Sequence, residues 1–157
     1  MNEDNRKLIE SCRASLASLF ARIDAPTSES WTRMVGISEP FSYTIDPVRR
    51  VVCVTFAKKL TAHEIMEYAA NLRGDRAFDP DYAEIVDLRQ VEEVELDANQ
   101  ALSLADEVDP FSPASKRAFV ATTPSQVNAA RVHQLLRPGN DNIRIFETMA
   151  EAKRWTM

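Results

Sequence analysis

The sequence predicts an α/β domain. A mixed five-stranded sheet, mostly parallel and opened by an antiparallel hairpin, is covered by helices, with an extra amphipathic helix ahead of it. Three observations carry this expectation. Short apolar runs alternate with amphipathic segments at helical spacing. Three of the predicted helices open on capping signals. Strands that alternate with helices are joined by right-handed crossovers, which make neighbouring strands parallel.

The elements follow in order. Over residues 4–23, Leu8, Ile9, Cys12, Leu16, Leu19, Phe20 and Ile23 recur at three- and four-residue steps and predict a helix. The next stretch, "DAPTSESWTRMVGISEP", carries Pro26, Gly36 and Pro40 and reads as a linker. The first 36 residues hold five basic and five acidic side chains, so the whole formal charge of −5 falls on residues 37–157. That shift divides the chain into a helix and linker, 1–36, and a domain, 37–157. The apolar face of the first helix needs a partner, and a homodimer through it is one expectation.

"FSYTID" and "VRRVVCVTFA" read as two strands joined by a turn at Asp46-Pro47, the second running over residues 50–57. "TAHE" at 61–64 is a capping box for a helix that stops at Gly74, with Ile65, Met66, Ala69 and Leu72 as its apolar stripe. "YAEIVDL" is the third strand, and residues 89–96 read as the loop above its carboxyl end. "DANQ" caps a helix bearing Ala101, Leu104, Ala105 and Val108. "RAFVAT" is the fourth strand, and "TPSQ" caps a helix that ends at Arg137-Pro138-Gly139. "IRIF" and "TMAEAKRWT" close the chain as strand and helix.

Composition excludes several functions. No basic run exceeds two residues and the net charge is negative, so no nucleic-acid partner is expected. No apolar run reaches the roughly 20 residues of a membrane span, and the polar N-terminus does not resemble a signal peptide, which points to the cytoplasm. Cys12 and Cys53 read as free thiols of a reducing compartment. The three glycines are far apart, so the dinucleotide and P-loop fingerprints are absent, as is a GxSxG elbow. His63 and His133 lie in different helices without a second histidine at metal spacing and read as solvated or half-buried. No cofactor, metal or catalytic residue is expected.

The remaining chemistry is acidic. Asp87 ends a predicted parallel strand, where open α/β sheets bind ligands; it is a candidate binding carboxylate, or else bonds loop amides and Arg89. Glu92, Glu93 and Glu95 read as a solvated rim, and Asp97 as a helix cap. No histidine or cysteine accompanies these carboxylates and no calcium-loop spacing is present. Arg131, between Val127 and Leu135 on an apolar stripe, is expected to snorkel, to pair with a carboxylate or to bind an anion. An enzyme built on Asp87 and Arg131 would lack a nucleophile and a cofactor.

The stretches "FSYTIDPVRRVVCVTFAKKLTAHEI", "AFDPDYAEIVDLRQV", "FSPASKRAFVAT", "ARVHQLL" and "IRIFETMAEAKRW" resemble the STAS domain, and more closely its bacterial SpoIIAA-like branch, over about three quarters of the chain. STAS domains include anti-sigma factor antagonists. The resemblance implies a non-catalytic regulatory domain that binds a protein partner through loops at the carboxyl ends of its strands, including residues 89–97 and 111–115. Asp87, Arg89, Glu95, Asp97, Arg131 and Ser112 are its candidate contacts. Sporulation-type members are switched by phosphorylation at the start of the second helix. Here no Ser or Thr occurs from Val91 to Leu102, and Asp97 fills the place. The SpoIIAA-like branch is also similar in fold to lipid carriers of the CRAL-TRIO type. That implies the alternative of an apolar ligand held between sheet and helices, with Met66, Phe78, Leu104, Phe119 and Phe146 as candidate walls.

Overall fold

The computed structural model describes residue 3, residues 39–137 and residues 140–157. The expected helix over 4–23, Cys12 and the boundary near residue 37 lie outside the described residues.

β1 (Phe41–Asp46) and β2 (Val51–Thr61) form the expected antiparallel hairpin, in register Phe41 with Phe56 and Asp46 with Val51. Asp46 closes the turn, its Oδ1 accepting the Val48 and Arg49 amides at 3.0 Å each. β3 (Ala83–Glu95), β4 (Arg117–Val120) and β5 (Ile143–Phe146) then add in parallel, giving a five-stranded sheet in the order β1-β2-β3-β4-β5. Every strand therefore lies beside its sequence neighbour. With right-handed crossovers, that order puts the three connecting helices on one face. They are α1 (Ala62–Arg73), α2 (Ala98–Ser103) and α3 (Pro124–Leu136). α4 (Met149–Thr156) covers the other face, packing Ala152 and Trp155 against Ile85, Ala118 and Val120.

The capping signals work as read. Thr61 N–H donates to Glu64 Oε2 at 2.9 Å ahead of α1. Asp97 and Gln100 exchange hydrogen bonds of 2.8 and 3.0 Å ahead of α2. Thr123 and Gln126 do the same at 3.2 and 3.3 Å ahead of α3, with Pro124 at its first turn.

Two departures matter for function. First, residues 89–95 are strand, not loop. β2 and β3 continue past Thr55 and Asp87 through two register shifts, with Ala57 facing Gln90 and Lys59 facing Glu93. β3 supplies the extra residue each time. Each extra residue reverses the alternation of faces. Leu88, Val91 and Val94 therefore all reach the same core, although a regular strand would send Val91 to the opposite side. Lys59 bridges Glu95 at 3.0 Å and Glu93 at 3.8 Å across the extended pair. Second, α2 is short and runs into a π-helical turn, Leu104–Val108, closed by Asp109 N–H on the Leu104 carbonyl at 3.1 Å. Pro110 then forces Asp109 out of helical backbone, to ψ 117°.

No helix among the described residues is long and apolar enough to cross a membrane.

Candidate functional site

The three helices do not close completely on the sheet. Between them and the strands lies a cavity of about 450 Å³. Phe56 and Leu60 of β2, Val86, Leu88 and Val94 of β3, and Phe119 of β4 form its sheet wall. Ile65, Tyr68 and Ala69 of α1, Ala101 and Leu104 of the second crossover, and Ala129 and Val132 of α3 form its helical walls. Asp97, Ala98, Ser125 and Asn128, all exposed, line it at the carboxyl ends of the strands. The shape is a slot with apolar walls and a polar mouth.

At the amino ends of the strands the slot stops on buried charge. Glu84 and Arg117 face each other across β3 and β4 and are 1% and 5% exposed. Arg117 Nε and Nη2 donate to Glu84 Oε1 at 2.8 and 2.6 Å, and its Nη1 donates to Asp109 Oδ2 at 2.7 Å. Tyr68 donates its hydroxyl to Glu84 Oε2 at 2.5 Å. The Phe111 amide donates to Asp109 Oδ1 at 3.0 Å, and the Arg117 guanidinium lies 4.5 Å from the Phe111 ring centre. Arg137 Nε approaches Asp109 Oδ2 at 3.5 Å, while its other nitrogens donate to the Ala105 and Phe111 carbonyls. His133 Nε2 is 3.2 Å from Asp109 Oδ2 yet has no aligned hydrogen bond, and its ring packs 5.6 Å from Phe119.

These contacts set the ionisation of the base. Burial alone would raise the Asp109 pKa. Arg117, then His133 and Arg137, overcome it and hold the carboxyl below the usual carboxylate range. Burial also disfavours the Arg117 charge, but Glu84 and Asp109 more than offset it and strengthen proton binding. Burial, followed by the Glu84 charge, pushes the Tyr68 phenol well up. The base thus brings Glu84 and Asp109 together with Arg117 and Arg137, and sets the His133 ring against Asp109.

No family model matches the chain, and no curated protein matches it. Solved structures do. One is an uncharacterised protein of Shewanella loihica with a SpoIIAA-like fold. It shares 19% identity and superposes with a TM-score of 0.52 over 78% of this chain and 100% of that one. Another is an anti-sigma factor antagonist from Mycobacterium paratuberculosis. It shares 13% identity, with a TM-score of 0.51 over 76% of this chain and 98% of that one. The fold is SpoIIAA-like.

Within the SpoIIAA-like frame the residues singled out from sequence scatter. Of the five proposed pocket walls, Leu104 and Phe119 line the slot. Met66 is buried between α1 and the second crossover. Phe78 packs edge-on to Phe111 at 5.2 Å, and Phe146 packs 5.8 Å from Trp155 on the α4 face. Asp87 alternates with Val86 and Leu88 and so faces away from the slot. It accepts the Arg89 amide at 3.0 Å and its side chain at 2.9 and 2.8 Å. Burial works against this carboxylate, and the Arg89 bonds nevertheless lower its pKa.

Arg131 is exposed on the outer side of α3. The expected stripe through Val127 and Leu135 is wrong, because Leu135 is 71% exposed and the buried side is Gln126, Ala130 and Arg137. Asp87 and Arg131 are therefore not brought together. Glu95 pairs with Lys59, and Asp97 caps α2 at the mouth. Ser112 accepts the Ala114 amide at 3.1 Å in the turn before β4. That turn lies at the amino ends of the strands, since the second crossover has carried the chain back. Residues 111–115 and 89–97 thus do not form one surface.

The base itself went unrecognised in the sequence. Its signal was an opposite charge opening each of two neighbouring strands, Glu84 and Arg117, together with Asp109 trapped before Pro110.

Proposed function

We propose that this SpoIIAA-like chain is a non-catalytic binding domain whose slot takes a small, largely apolar molecule. The observation that carries the reading is the cavity of about 450 Å³ between sheet and helices, within the ~300–1,000 Å³ typical of small-molecule sites. Its apolar walls favour an apolar guest, and its exposed mouth leaves an entry route. A folded domain that simply packed its core would leave few voids larger than a water. The fold likeness to an anti-sigma factor antagonist supports a second reading, a regulatory domain acting on a protein partner. In that reading Asp97, already committed as a cap, leaves no hydroxyl for a phosphorylation switch at the second helix.

One experiment addresses both. The full chain is purified gently from its native cells and weighed by native mass spectrometry, beside an Ala101→Trp variant that fills the slot. We expect a small-molecule adduct on the wild type and none on the variant. Only apo mass on both, or an adduct that survives Ala101→Trp, would refute the slot reading. A stoichiometric protein companion retained by both would favour the second.

A further inference from the structure

The outer side of α3 carries an apolar strip that the described residues leave open to solvent. Val132, Leu135 and Leu136 are 42%, 71% and 36% exposed, three and four residues apart on one side of the helix. Leu102 of α2, the helix packed beside it, is 50% exposed. These are four of the six large apolar side chains exposed among the described residues, so exposure concentrates on two adjoining helices and marks an interaction surface. We propose that its occupant is residues 4–23 of this same chain, docked as a helix antiparallel to α3.

The sequence of residues 4–23 sets Leu8, Cys12, Leu16, Leu19 and Ile23 on one face of a helix. A helix of that length gains its stability in water mainly by packing such a face. The point where the chain enters the domain puts the α3 strip within reach. β1 runs antiparallel to the other strands, so it begins at their carboxyl ends. There Phe41 pairs with Phe56, and the Ala57 amide donates to the Pro40 carbonyl at 3.0 Å. α3 starts at the same ends, just after β4, and runs back toward the amino ends. A helix antiparallel to α3 therefore finishes, at Ile23, where the connection to β1 must begin. That connection, residues 24–38, has fifteen residues and spans up to about 50 Å when extended. β1 and β4 are three strand spacings apart, only about 15 Å. Tethering also favours this occupant over a second copy, because it supplies an effective concentration on the order of millimolar. Val132 lines the slot as well, so the docked segment borders its opening. This docking requires no guest in the slot.

A spin label tests the placement in the full chain. Cys12→Ala and Cys53→Ala remove the native thiols, Ala14→Cys carries a nitroxide, and amide signals are compared with the label oxidised and reduced. Ala14 falls opposite the apolar residues of the helix, so the label does not block the contact. Packed helices lie about 8–10 Å apart. The amides of Val132, Leu135 and Leu136 should therefore lose intensity, and those of α4, on the other face of the sheet, should keep it. Leu135→Lys should restore the α3 signals. Undiminished α3 signals, equal loss on α3 and α4, or a loss that Leu135→Lys leaves unchanged would each overturn the inference. So would an equal loss on unlabelled, isotope-enriched chains mixed with labelled ones, which would make a second copy the occupant. Should Ala14→Cys fail to fold, Ala21→Cys, on the same side, gives the same readout.

Discussion

At the residue scale, Asp109 holds the base of the slot together. Its carboxylate joins Arg117, lies against His133 and Arg137, and takes the Phe111 amide. The side chain is 3% exposed. Breaking a buried ion pair by removing one partner typically costs about 3–5 kcal/mol, because the other charge remains buried without compensation. Asp109→Asn should lower unfolding free energy by about that amount, read from the urea midpoint at constant slope. A loss within about 0.5 kcal/mol, typical of an uncoupled surface site, would show that the arginines find other partners. Cys53 illustrates the opposite case. It is half-buried on the α4 face, and burial pushes its thiol up, away from reactivity.

At the element scale, the bulged end of β3 needs an anchor, and α3 supplies it. Gln126 is 1% exposed. Its amide donates to the Val91 carbonyl at 2.8 Å, while its oxygen accepts the Thr122 and Thr123 amides at 2.9 and 3.2 Å. One side chain thus caps a helix and satisfies a strand where the ladder is irregular. Gln126→Leu keeps the volume and strands those groups, each unmet one costing about 1–3 kcal/mol. We expect a total loss of about 2–4 kcal/mol by chemical denaturation, whereas Arg131→Ala, on the exposed side of the same helix, should stay within about 0.5 kcal/mol. Similar effects from the two would contradict the assignment of faces. The same helix shows what sequence can carry. Its cap was legible because Thr123, Pro124 and Gln126 act locally. Its buried side was not, because Ala130 is small, Gln126 and Arg137 are polar, and Leu135 is exposed. Likewise the strand core through Leu88 followed from its apolar run. The continuation to Glu95 did not, because two register shifts break the alternation that would have announced it.

At the scale of the whole molecule, two depressed carboxyls, Asp109 and Asp87, couple stability to pH. Burial opposes both, and their arginine partners prevail. A group that binds its proton more weakly when folded contributes its full stabilisation above its unfolded pKa, about 3.9 for an aspartate. That contribution falls as the pH drops through this value toward the folded pKa. The stability curve should therefore be flat near neutrality and decline below about pH 4, and Asp109→Asn should make the decline shallower. An acid limb of equal steepness in that variant, measured by denaturant unfolding across pH, would rule out Asp109 as a contributor. The architecture around these groups was legible as an order of elements, since capping signals and apolar runs are local. The slot was legible only through the resemblance, which implied a pocket between sheet and helices and named Leu104 and Phe119 among its walls; no local pattern announced it, because it arises where three crossovers meet the sheet.

The strand order has one more consequence, for how the chain acquires its structure. In a sheet ordered β1-β2-β3-β4-β5, each strand docks beside the one synthesised just before it. No strand must wait for a distant partner to be inserted between two that already exist. Pairing each strand with its neighbour in sequence keeps the loop-closure cost below that of pairing with a more distant strand. Assembly can proceed by accretion from the hairpin onward while the chain is still emerging from the ribosome. The salt-linked base then begins to form only when β4 brings Arg117 beside Glu84, and it is completed when the helix after β4 delivers Arg137 to Asp109, together with the last apolar wall of the slot.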